Sequence, residues 1–320
     1  MKRIGVLTSG GDSPGMNPAI RAIVRGGIYN HLDVFGIKRG YEGLIEGDIY
    51  KMDASSVGGI INSGGTMLKT ARSRYYMEEE GFAKALESIE KNKIEGVAVI
   101  GGDGSLRGAL ELAKAGIPVV GIPGTIDNDL AYSDYTIGFD TACNTILDAV
   151  SKIRDTSSSH ERISVIEVMG RRSGQLAMYT GITGGADAVL VPEVSVELDK
   201  ICEKILAGIR REKKYSIIIK AEGVDMSTEK LAEELQNRLD LECRIVVLGH
   251  IQRGGSPSAK DRMIASRMGY EAIKILKDNK GSKALGLKGG IVVAMDVEEA
   301  LSMKSTYDDS QIDFANILSI

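Results

Sequence analysis

The sequence predicts an α/β protein of largely parallel sheets covered by helices on both faces, and three observations carry that expectation. Short Ile- and Val-rich runs recur along the whole chain. Longer segments with apolar residues three or four apart alternate with them, and turns rich in glycine and aspartate follow the runs. Alternation of this kind is the signature of parallel strands joined by crossover helices. At 320 residues the chain exceeds the usual size of one hydrophobic core, which predicts two domains of roughly 100–200 residues.

The strand-like runs fall at residues 4–7, 97–100, 119–122, 163–168, 188–191, 217–219, 245–248 and 291–294. Helical spacing runs through Ala142, Ile146, Val150 and Ile153, and again through Ile264, Met268, Ala272 and Ile275. A helix is expected to begin near Pro14, because proline suits a first helical turn. Another passes through Leu106 and Leu110, with Asp103 or Ser105 able to cap it. Thr156-Ser157-Ser158-Ser159 is either a domain boundary or the end of a helix. There is no long linker, low-complexity stretch or short-period repeat.

Composition excludes several classes. A net charge of -4, four Phe and no Trp give neither the basic stripe nor the stacking rings of a nucleic-acid surface. Cys143, Cys202 and Cys243 are few and far apart, which fits a reducing compartment and offers no metal-ligand spacing. The apolar run after Met1 stops at Ser9-Gly10-Gly11-Asp12, too early for a signal or membrane segment, so a cytoplasmic protein is expected.

In open α/β sheets ligands bind in loops at the carboxyl ends of strands. Turns at Gly10, Gly101 and Gly124 are expected there, as are Met169-Gly170-Arg171, Glu222-Gly223 and Gly249-His250. Thr8 to Gly15 matches neither the dinucleotide fingerprint nor a P-loop, yet its amides could face an anion. Asp103, set between glycines, leaves room for a Mg²⁺ and phosphate together. Thr125, Asp127 and Asp129 bring a hydroxyl and two carboxylates into five residues, a concentration of acid that a cation or substrate would use. Such residues also favour plain turns that bond their own backbone. The combination suggests phosphoryl transfer.

Six blocks occur in one order: Thr8 to Gly15, Gly101 to Ser105, Pro123 to Asp129, Arg154 to His160, Glu167 to Arg171, and Leu248 to Pro257. Together they resemble the bacterial 6-phosphofructokinases over nearly the whole chain. Gly101 to Ser105 alone is also similar to the nucleotide loop of NAD kinases and lipid kinases, which lack the remaining blocks.

The resemblance implies two doubly wound domains. Residues 1–138 with 251–305 would form a nucleotide domain, and residues 139–250 with 306–320 a fructose 6-phosphate domain. It implies transfer of the γ-phosphoryl of ATP, with Mg²⁺, to the 1-hydroxyl of fructose 6-phosphate. Asp127 would be the general base, with Thr125 and Gly11 donating hydrogen bonds to the moving group. Asp103 would hold Mg²⁺ and Asp129 would lie close by. Arg72 would bridge both substrates, helped by Arg171, and Ser73, Gly102, Gly104 and Ser105 would complete the ATP site. Arg162, Arg244, His250 and Arg253 would clamp the 6-phosphate. Ile126, Met169, Gly170, Glu222, Ile251 and Gln252 would line the sugar side. Counterparts of Arg162 and Arg244 reach in from a neighbouring subunit, which implies a homotetramer. Gly104 and Gly124 stand where pyrophosphate-using relatives carry Asp and Lys, so ATP is the expected donor.

An effector site for ADP or phosphoenolpyruvate is implied at Arg21, Arg25, Arg154, Gly185, Asp187, Arg211, Lys213 and Lys214. Here the chain departs from the family pattern. Ala54 and Gly59 replace Arg and Asp of strongly regulated relatives, and Asp187 replaces a Glu. A silent sensor on the same fold would have lost Asp127, Asp103 or Arg72, and all three are present.

Overall fold

The structure, a computed structural model, describes residues 1–304 and 310–319. The expected boundary between residues 305 and 306 lies outside the described residues. The chain divides into two compact units. One comprises Met1–Ile126, Leu130–Thr141 and Arg253–Ser305; the other comprises Asp127–Asp129, Ala142–Gln252 and Thr306–Ile320.

The first unit begins β1 (Arg3–Ser9), α1 (Met16–Tyr29), β2 (Asp33–Ile37), α2 (Gly40–Glu46) and β3 (Ile49–Met52). It continues α3 (Glu79–Lys91), β4 (Gly96–Gly101), α4 (Asp103–Lys114), β5 (Val119–Thr125) and β6 (Ile137–Gly138). Helix α5 (Phe139–His160) leads into the second unit, which holds β7 (Ile163–Val168), α6 (Gln175–Gly184), β8 (Ala188–Leu190), α7 (Leu198–Arg210), β9 (Ser216–Ala221), α8 (Thr228–Leu239) and β10 (Cys243–Val247). The first unit resumes with α9 (Ala259–Lys277), β11 (Lys283–Lys288), β12 (Ile291–Asp296) and α10 (Val297–Ser302); α11 (Ser310–Leu318) returns to the second.

The first sheet is ordered β12-β11-β5-β4-β1-β2-β3, with β6 beside β5. Its interior pairings are parallel, as expected, and only the outer pairs β2–β3 and β11–β12 are antiparallel. The run at 291–294 therefore forms a hairpin with β11. Gly289 and Gly290, both at positive φ (55° and 81°), make the two-residue turn that hairpin needs. Alternate residues feed opposite faces: Ala98 and Ile100 pack with Ile20, Ile23 and Met268, whereas Val97 and Val99 pack with Leu44, Ile89 and Leu106. The second sheet, ordered β10-β7-β9-β8, is entirely parallel.

Several strands lie outside the Ile- and Val-rich runs. β2 and β11 carry glycines because neighbours press on the strand: a Cβ on Gly36 would meet Met52 Sδ at 2.7 Å, and one on Gly286 would meet the Tyr132 carbonyl at 2.8 Å. Three strands also outrun their expected ends, β1 to Ser9, β4 to Gly101 and β5 to Thr125, so Gly124 lies within a strand rather than in the turn after it. Helix α1 starts at Met16, beyond Pro14, after Gly15 at φ 111°. Thr156 to Ser159 continue α5 and are no linker.

Candidate active site

In the first unit the exit of β1 is pinned by the segment at Lys69 and Thr70. Thr70 Oγ1 donates to the Gly10 carbonyl at 2.7 Å, and Thr8 Oγ1 donates to the Lys69 carbonyl at 2.8 Å. Arg253 crosses Gly11 so closely that a Cβ there would lie 2.5 Å from its Nη1, which donates to the Asp12 carbonyl at 3.0 Å. A side chain at position 11 would push that guanidinium aside. Arg72, two residues past Thr70, is exposed. Ser73 Oγ accepts the Tyr76 amide at 3.2 Å, opening the turn that follows.

Helix α4 begins at Asp103 itself, and its cap residue Gly102 contributes no side-chain bond. Neither Asp103 nor Ser105 therefore caps the helix, a correction to the capping alternative. Asp103 instead sits in the first turn, where its charge suits the positive end of the helix. Its carboxylate is 42% exposed and accepts from Arg107 Nε at 2.8 Å. A Cβ on Gly104 would meet nothing within 4 Å, so that side is open to a ligand. Gly124 differs: a Cβ there would meet Ile100 Cγ2 at 2.9 Å and Met16 Cε at 3.3 Å, so its small size serves packing in β5. Thr125, at the end of β5, lies against Gly102, whose added Cβ would sit 3.5 Å from Thr125 Cβ.

Two tyrosines that the sequence patterns pass over hold this helix start. Tyr41 OH donates to the Ser105 carbonyl at 2.6 Å and Tyr76 OH to the Gly108 carbonyl at 3.0 Å. Their rings stack at 4.1 Å. Burial pushes both phenols above their ordinary range, so they stay protonated donors. The signal was slight, since buried tyrosine looks like any other core residue in one sequence.

In the second unit Asp127 is buried and faces Arg171, whose Nε lies 3.6 Å from Oδ2. The loop that presents Arg171 has Gly170 at φ 137° and Arg171 at φ 55°. Glu222 Oε1 accepts both of its amides, Gly170 at 3.2 Å and Arg171 at 2.8 Å. Gln252 Oε1 accepts the Met169 amide at 3.1 Å. Met169, Gly170, Arg171, Glu222 and Gln252 are thus brought together at the carboxyl end of the sheet, with exposed His250 and Ile251 just beyond β10.

Arg162 and Arg244 are not part of that group within one chain. Arg162 precedes β7 and Arg244 is the second residue of β10, paired with Ser164 at the amino end of the sheet. The six residues of β7 then separate Arg162 from Met169 by roughly 20 Å. Arg244 forms an ion pair with Glu242.

Of the effector residues, Arg154 donates to the Gly184 and Gly185 carbonyls, and buried Asp187 accepts from Lys213 and from the Ile217 amide. Lys214 pairs with Glu161 at 2.7 Å. Arg211 follows α7, while Arg21 and Arg25 lie on α1 of the first unit. No group of three or more His, Cys, Asp and Glu able to hold a metal occurs among the described residues. Asp103 is a lone carboxylate beside open backbone, which fits a Mg²⁺ that keeps waters and takes phosphate oxygens. No helix among the described residues is long and apolar enough to cross a membrane.

One α/β unit thus carries an open helix start beside glycine turns, which suits an anion, and the other a buried carboxylate beside an arginine. The chain belongs to the phosphofructokinase family, whose profile matches residues 3–276. It is 55% identical, over all of both chains, to an ATP-dependent 6-phosphofructokinase of Alkaliphilus metalliredigens, and 52% identical to that of Clostridioides difficile, again over both full lengths. Among solved structures, phosphofructokinase from Saccharomyces cerevisiae superposes with a TM-score of 0.90 at 33% identity, covering 100% of this chain and 48% of the yeast chain.

Proposed function

We propose that this chain transfers the γ-phosphoryl group of MgATP to the 1-hydroxyl of fructose 6-phosphate, giving fructose 1,6-bisphosphate and ADP. The observation that carries the reading is the buried Asp127 carboxylate beside Arg171, a base with a cation placed to steady it.

Asp127 takes the hydroxyl proton as the 1-oxygen attacks. Thr125 and the Gly11 amide donate to the moving phosphoryl, Arg72 and Arg171 offset its charge, and Asp129 serves as an electrostatic and positioning partner close to Asp103. Asp103 would hold Mg²⁺, which when bound neutralises the phosphate oxygens of ATP. Gly102, Gly104, Ser105 and Ser73 receive the nucleotide. On the sugar side Glu222 keeps Oε2 for a hydroxyl while Oε1 holds the loop. Met169, Gly170, Ile126, Ile251 and Gln252 shape the pocket. His250, Arg253, Arg162 and Arg244 clamp the 6-phosphate, with Arg253 using Nε and Nη2, since Nη1 serves Asp12. The distance along β7 supports Arg162 and Arg244 arriving from a second subunit, hence a homotetramer with shared sites. Residues 1–138 with 251–305 make up the nucleotide domain, and residues 139–250 with 306–320 the fructose 6-phosphate domain. The enzyme works in the cytoplasm.

Regulation by ADP or phosphoenolpyruvate is weak in this reading, because Asp187 is already engaged by Lys213 and Ile217 and because Ala54 and Gly59 supply no charge. A fructose 6-phosphate curve made strongly sigmoidal by phosphoenolpyruvate and relaxed by ADP would contradict this.

The reaction is tested by initial rates with fructose 6-phosphate and Mg²⁺, comparing ATP with pyrophosphate. Turnover with ATP supports the proposal. Turnover with pyrophosphate alone replaces the donor, and silence with both removes the reading.

A further inference from the structure

The second unit buries a lysine that none of these roles uses. Lys220 is 1% exposed and sits in β9 between Ile219 and Ala221. Its Nζ lies 3.2 Å from Glu167 Oε2 and 3.3 Å from the Ala221 carbonyl. Thr228, in the first turn of α8 and 2% exposed, donates its hydroxyl to the same Glu167 oxygen. Glu167 and Lys220 are facing partners in the parallel β7–β9 pair. Glu167 itself remains 23% exposed.

A buried amine in a strand dominated by isoleucine is costly unless paired, and a buried pair seldom adds stability over an apolar residue of the same size. The cluster therefore calls for a role besides stability, and its position supplies one. Glu167 and Lys220 stand two residues before Met169 and Glu222, which follow the ends of β7 and β9. Beyond those ends, the residue that follows β9 holds the loop that follows β7. The Glu222 carboxylate holds the Gly170 and Arg171 amides, and the Glu222 amide donates to the Val168 carbonyl at 2.8 Å. The crossing is tight: a Cβ on Gly223 would lie 1.9 Å from the Arg171 carbonyl oxygen. A small shift of β9 against β7 would move Glu222 and Arg171 together.

We propose that Lys220, Glu167 and Thr228 form a positioning clamp that sets the register of the two strand ends and so the placement of Glu222 and Arg171 toward the sugar phosphate. The inference rests on the sugar-phosphate reading of that site. The clamp touches neither substrate. It tunes affinity for the acceptor and leaves the nucleotide residues alone.

The test compares the full-length wild type with Lys220→Met, of similar length and apolar, and with Thr228→Val, which keeps the shape and removes the hydroxyl. The expected result is a KM for fructose 6-phosphate raised about five- to tenfold in Lys220→Met, with the KM for ATP unchanged; Tm falls as well, because Glu167 is left without its cation. Thr228→Val should move the same KM in the same direction, and it decides the matter if Lys220→Met does not fold. A lowered Tm with both KM values unchanged would make the cluster merely structural and overturn the proposal, as would equal shifts for both substrates. Absence of turnover in the wild type removes the sugar-phosphate reading and this inference together. Turnover with an unmoved acceptor KM removes this inference alone.

Discussion

Arg171 Nε and Asp127 Oδ2 lie 3.6 Å apart, pairing a half-exposed guanidinium with a carboxylate that is 3% exposed. The pairing depends on backbone more than on side chains. Arg171 reaches Asp127 from a left-handed conformation that the hydrogen bond from its backbone N–H to the Glu222 carboxylate holds in place.

Asp127→Ser is expected to lower kcat by about 10²–10⁴-fold, the range for loss of a general base, with smaller changes in both KM values. Steady-state kinetics at saturating ATP would check it. A loss under about tenfold would take Asp127 out of that role.

Arg162 and Arg244 stand at the far end of the sheet from Met169 and Glu222. If they serve a neighbour, Arg162→Ala and Asp127→Ser proteins, each nearly inactive, should regain activity once their subunits are exchanged by mild dissociation and mixing. Some mixed sites then hold an intact Asp127 from one chain and an intact Arg162 from another. Mixtures no more active than the sum of their parts would place the arginines in the site of their own chain.

Asp261, fully buried in the first turn of α9, accepts from the Gly138 amide at 2.9 Å, the Thr141 amide at 2.8 Å and the Thr141 hydroxyl. Asp261→Asn turns an acceptor into a donor facing donors, so unfolding should cost about 1–3 kcal/mol less. Burial raises the carboxyl above its ordinary value of 3.8. The sign follows: this group's contribution is fully present below that value and is lost as pH rises through the higher native one. The Tm gap between the two proteins should therefore be widest at low pH. A gap that grows toward neutrality would contradict the assignment.

Cys143 and Cys202 are buried, and burial pushes the Cys243 thiol up to about 11. At pH 8 the native protein should react slowly with an aromatic disulfide reagent, because the thiolate is the nucleophile. All three thiols should react once the chain is unfolded. Rapid labelling of the native protein at pH 8 would show Cys243 to be more open than described here.

The alternation of apolar runs with helical spacing determined the α/β class, because buried parallel strands and amphipathic helices each leave a period that survives in one dimension. The ends of β1 and β4 were legible for a similar reason, because glycine and aspartate at Gly10, Gly101 and Asp103 mark where those strands stop. Tertiary structure decided the rest. β2 and β11 escape the pattern because neighbours demand glycine at Gly36 and Gly286, which weakens the local strand signal. Gly124 looks like a ligand-side glycine in sequence, yet Ile100 and Met16 account for it. That Tyr41 and Tyr76 brace α4, that Glu222 holds Arg171 toward Asp127, and that Lys220 meets Glu167 are contacts between residues 32 to 64 positions apart. No local pattern encodes them, because each partner's environment exists only once the strands and helices have packed.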